Sequence, residues 1–62
     1  MNLEEIIKKS LVEGKISGLA FIARKKLELA LRNLEFEKTE EAVEILKEIL
    51  DPIEEIKRLV EL

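Results

Sequence analysis

Apolar residues recur along most of this chain at the three- and four-residue spacing that puts them on one face of an α-helix. Leu3, Ile7 and Leu11 step by four, with Ile6 and Val12 widening the face. Asn2, with Glu5 three places on, supplies a start signal of the capping-box type. The pattern predicts a first helix over residues 3–13. Gly14 and Gly18 then place two poor helix formers close together, each costing about 1 kcal/mol relative to Ala. The first stripe does not continue in phase beyond them. A turn over residues 14–17, with Ser17 capping the next helix, is therefore expected in preference to the alternative of one unbroken helix in which Ser10, Gly14 and Gly18, each four apart, form a smooth strip for close helix approach.

Ala20, Ala23, Leu27, Ala30 and Leu34 repeat at alternating spacings of three and four, predicting a second helix over residues 18–34. Thr39 reads as the following N-cap, with Glu40 and Glu41 in the first turn, where the helix dipole favours anions. The clearest pattern comes last. Ala42, Leu46, Ile49, Ile53, Ile56 and Val60 form an a/d heptad series over nearly three repeats. Pro52 lies inside it, yet the phase survives. One helix over residues 40–62, kinked at Pro52, fits better than a break and restart. Residues 38–52 resemble the second helix and closing proline of a tetratricopeptide repeat. The Ala-to-Pro distance is shorter than in that repeat and no second copy follows, so the segment reads as generic helix.

Size sharpens the picture. A chain of 62 residues is one domain at most, and a single core this small seldom yields more than about 3–5 kcal/mol. Disulfides or a structural metal are common remedies, but the chain has no Cys and no His. Asp51 is the only Asp and has no Gly beside it, which excludes an EF-hand loop. No metal or cofactor is expected. The remaining remedy is a partner: a second copy of the chain, or another helical protein. The composition is 47% apolar and 40% charged, and rich in Glu, Lys, Leu and Ile. Such usage argues against disorder and is similar to that of thermophilic proteins. No secretory leader or membrane span is legible, so a cytoplasmic, soluble protein is expected.

Charge is divided along the chain. Residues 1–16 balance, residues 17–38 carry five basic and three acidic side chains, and residues 39–62 carry three basic and eight acidic. A positive helix followed by a negative one favours antiparallel packing of the two. The expected fold is thus all-α: a short N-terminal helix, then an antiparallel helical hairpin that completes a bundle by dimerisation.

Candidate chemistry is sparse. Arg24, Lys25 and Lys26 are the single basic cluster, which could contact nucleic-acid phosphates. A chain of net charge −3, with no aromatic residue read as a base-stacking platform beside that cluster, makes a weak footprint for that role. Glu40, Glu44 and Glu48 share a helix face and read as solvated. Ser10, Ser17 and Thr39 have no His to activate them, so no Ser–His catalysis is expected. An oligomeric enzyme with an inter-subunit pocket around Arg24 and Arg32 is the remaining catalytic alternative. The favoured reading is a homo-oligomeric adaptor or regulator without catalysis. Its expected partner interface is lined by Leu46, Ile49, Ile53, Ile56 and Val60, faced by Ala20, Ala23 and Leu27.

Overall fold

A computed structural model describes residues 2–61 and is all helical. It contains two helices, α1 (Leu3–Glu35) and α2 (Thr39–Val60), joined by Phe36-Glu37-Lys38. The two pack along one another in a particle measuring 53 × 15 × 9 Å. Among the described residues no helix is long and apolar enough to cross a membrane.

The N-terminus begins as the sequence indicates: the Asn2 side chain accepts a hydrogen bond from the Glu5 N–H at 2.9 Å. The expected break over residues 14–17 is absent, and Ser17 is not a cap but lies in the middle of 33 continuous helical residues. Two glycines did not stop the helix because propagation adds a hydrogen bond for each residue fixed, and because the inward stripe does continue across them. Val12, Ile16, Leu19 and Ala23 are partly buried and alternate at spacings of four and three. Lys26, Ala30 and Asn33 extend the same register, and the two polar members hide it from a hydrophobicity reading.

The end of α1 is a Schellman motif. The Glu37 N–H donates to the Leu34 carbonyl at 3.0 Å, and the Lys38 N–H to the Asn33 carbonyl at 2.8 Å. That geometry requires a left-handed residue, and Glu37 takes it with φ 61°. Glycine is the usual occupant, since a Cβ there costs about 1–2 kcal/mol. Glu37→Gly is expected to stabilise the fold by about 0.5–1 kcal/mol, after subtracting the added freedom of the unfolded chain. The thermal midpoint should rise by several degrees. An unchanged or lower midpoint would show that Glu37 is not strained.

Thr39 also departs from expectation. It is the first helical residue of α2, and Lys38 holds the cap position without a side-chain hydrogen bond. The Schellman closure brings Lys38 into place, and its carbonyl accepts the helical bond from the Ala42 N–H at 3.1 Å. α2 runs through Pro52 without interruption and ends at Val60, two residues short of the expected limit.

The contact between α1 and α2 is thin. Ala30 and Ala42 are fully enclosed and Ile49 nearly so, and these three are the apolar core among the described residues. Pro52 is also buried. Small side chains at 30 and 42 let the helices approach closely near the turn. Apart from Glu55, the partly buried or buried positions of α2 are Ala42, Ile45, Ile49, Pro52, Ile56 and Leu59, again a three-four series. It is offset by one residue from the series Leu46–Ile53–Val60 that apolar spacing alone favoured.

Candidate interaction face

Three observations fix how the helices lie together. Lys26 Nζ donates to Glu48 Oε2 at 2.9 Å. A shallow groove nearer the turn is lined by Asn33 with Glu40, Glu41, Glu44 and Ile45. Another, farther from it, is lined by Leu19 and Ile22 with Pro52 and Glu55. Positions on α1 therefore fall as those on α2 rise.

This arrangement decides what flanks the contact. The residue after each inward position is turned by about 100° around the helix axis. Because the two helices run in opposite senses and face each other, those turns lead to the same side of the pair. On that side α1 supplies Ala20, Leu27, Leu31 and Leu34, with Glu13 and Ser17 farther from the turn and Arg24 among them, and α2 supplies Val43, Leu46, Leu50, Ile53 and Val60, with Lys57 as its one charged member. Every one of these is exposed, from 40% at Leu46 to 68% at Val60 among the large apolar ones. The residue before each inward position leads to the opposite side. There α2 shows Glu41, Glu44, Glu48, Asp51 and Glu55, which line the two grooves. One flank of α2 is thus oily and the other is acidic.

The expected interface residues divide between two places. Ile49 is buried in the contact between α1 and α2, and Ala23 and Ile56 lie in the same inward series and are partly buried. Ala20, Leu27, Leu46, Ile53 and Val60 lie together on the oily flank, and do not form the seam inside the pair. Leu31, Leu34, Val43 and Leu50 complete that flank and were left out of the sequence-based set. The acidic residues one step before five of the six inward positions of α2, from Glu41 to Glu55, are the signal that locates them.

The basic cluster is dispersed. Lys26 turns inward to Glu48, and Lys25 pairs with Glu28 at 3.5 Å. Arg24 and Lys25 lie over the Phe21 ring, at 5.9 and 5.5 Å from its centroid. Phe21 is thus the aromatic neighbour that sequence reading did not connect to the cluster, although three- and four-residue spacing on a helix brings such side chains together. Lys25 thus has a carboxylate partner within the chain, and Arg24 has none among the described residues. Arg24 and Arg32 line neither of the two grooves between α1 and α2. Among the described residues no group of three or more acidic side chains is arranged to hold a metal ion.

No family model matches the chain, and comparison with curated proteins and with solved structures finds no match for it.

Proposed function

We propose that this protein is a self-associating helical module: an antiparallel hairpin whose oily flank is covered by a second copy, giving a homodimeric bundle. The function assigned is structural, as an assembly or adaptor unit, with no catalytic step. The observation that carries it is the amount of surface the single chain leaves uncovered. A compact monomer of this mass would expose about 4,100 Å² by the usual scaling of area with mass. This chain of 7.2 kDa exposes 5243 Å². The excess, roughly 1,100 Å², is the size of the patch that one partner contributes to a protein–protein interface, about 800 Å². Its radius of gyration of 15.5 Å likewise exceeds the roughly 10–11 Å of a compact fold of this length.

The uncovered surface is also of the right kind. Leu27, Leu31 and Leu34 of α1 share one flank of the pair with Leu46, Leu50 and Ile53 of α2, all six exposed, and apolar area of this sort marks an interface. A homodimer places the same patch on both subunits, so one face closes the assembly without leaving another exposed.

Sedimentation equilibrium over a range of low micromolar concentrations tests the reading. The expected result is a particle of twice the 7.2 kDa chain mass, dissociating on dilution. A well-folded particle of single-chain mass at all concentrations would overturn it. A nucleic-acid role through Arg24, Lys25 and Lys26 has less support, because Lys25 pairs with Glu28 and Lys26 with Glu48, which leaves Arg24 as the one member without a carboxylate partner among the described residues.

A further inference from the structure

The self-association proposed above leaves the orientation of the second copy open, and α1 carries a pattern that specifies it. α1 has 33 residues and α2 has 22, so α1 is eleven residues longer. Extending the Lys26–Glu48 pairing along both axes brings Val60, the end of α2, level with Gly14. Residues 3–13 of α1 therefore project past α2 as an arm. Leu3, Ile6, Ile7 and Leu11 on this arm are 71%, 46%, 50% and 69% exposed. So short a helical segment is marginal by itself.

A second three-four series runs the length of α1 on the oily flank and its edge: Leu3, Ile6, Ser10, Glu13, Ser17, Ala20, Arg24, Leu27, Leu31 and Leu34. It reads nearly the same in both directions about a midpoint between Ser17 and Ala20, the exception being Ser10, which mirrors Leu27. Leu3 mirrors Leu34 and Ile6 mirrors Leu31, so large apolar residues meet their like at the ends. Ser17 mirrors Ala20, so small residues meet at the centre, where crossing helices approach most closely. Glu13 mirrors Arg24, the one charged pair in the series, and the two are opposite in sign. Neither makes an ion pair within the chain among the described residues.

We infer that the second copy lies antiparallel on the oily flank, α1 against α1, about a two-fold axis at this midpoint. Residue pairs across such an axis occur twice, so each dimer has two Glu13–Arg24 pairs. The turns lie at opposite ends of the assembly. The arm of each chain then lies on the turn-proximal half of the other hairpin, against Leu31 and Leu34 of α1 and Val43 and Leu46 of α2. The lengths agree: with the axis level with the last part of α2, the two α2 helices overlap only through their C-terminal halves. The arm covers the half of α2 that remains.

The test uses the full chain in solution, and the helical content of each variant is checked by circular dichroism. Glu13→Arg alone and Arg24→Glu alone are each expected to weaken the dimer by about tenfold or more, since each places like charges together twice. The double variant, with both charges exchanged, is expected to return to within about threefold of the original affinity. With no native cysteine to interfere, a spin label on Arg32→Cys reports the orientation. Two labels in the inferred dimer stand about 40 Å apart, from about 1.5 Å of rise per residue on each side of the axis. A dimer whose labels lie within roughly 25 Å would have its turns at the same end, which overturns the orientation but leaves self-association standing. Failure of the exchanged pair to recover overturns the register. A monomer at every concentration removes both this inference and the reading beneath it.

Discussion

Ile53→Glu is expected to leave a single-chain particle under conditions where the proposed dimer of the unaltered chain would form. Ile53 is 47% exposed in the isolated chain and lies on the oily flank, away from the α1–α2 contact. Within one subunit the carboxylate can reach water, so the hairpin itself should lose little. In a dimer the same position is covered, and the substitution occurs twice because the interface is symmetric. Each copy forfeits part of the 1.5–3 kcal/mol of an apolar side chain and adds the desolvation of a carboxylate without a partner. A combined loss of about 4–6 kcal/mol corresponds to a dissociation constant about a thousandfold or more higher. Sedimentation equilibrium provides the measurement, with Asp51→Asn on the acidic flank as the control expected to leave association unchanged. If Ile53→Glu associates as tightly as the original chain, the oily flank is not the interface.

The second large effect belongs inside the subunit. Ile49 is the one large aliphatic side chain that approaches complete burial, and its companions in the core are two alanines. Ile49→Ala removes most of the aliphatic volume from the contact. Substitutions of this kind cost about 2–5 kcal/mol, and the lower half of that range suits a site that retains some exposure. The loss is comparable with the 3–5 kcal/mol that so small a core supplies. Unfolding in urea, followed by helical circular dichroism at fixed protein concentration, should show a midpoint far below that of the original chain. Concentration must be held constant because association adds to apparent stability by mass action. A loss under about 1 kcal/mol would mean that the α1–α2 contact is not where stability resides. The two substitutions are four residues apart on one helix and act differently: Ile53→Glu acts on assembly, Ile49→Ala on the hairpin.

Those two residues also show what periodicity can and cannot resolve. Both belong to the apolar series read from the sequence, which treats Ile49 and Ile53 as equivalent. α2 has two apolar series one residue apart, 42–45–49–52–56–59 and 43–46–50–53–60, and hydrophobicity alone does not say which faces α1. Acidic residues precede five of the six members of the first series, Leu59 following Arg58 instead, and they break the tie. They occupy one edge of the contact, where Glu48 meets Lys26. In α1 the inward register was harder to see because Lys26 and Asn33 occupy two of its positions. A long side chain can lay its methylenes along an apolar contact and still reach a carboxylate at the rim.

The amino-acid sequence by itself determined that this protein is helical, where α1 starts, that α2 continues through Pro52, and, having no Cys, that no disulfide can staple the fold. These follow from local spacing, capping side chains and composition, all of which act over a few residues. Only the tertiary structure decided that residues 14–17 stay helical, which series faces inward, and that an arm of α1 extends past the end of α2. Each depends on what lies across from a residue and not on its neighbours in the chain. Val12, Ile16 and Leu19 hold the register across Gly14 and Gly18, and partial burial along this inward stripe offsets the roughly 1 kcal/mol that each glycine costs the helix.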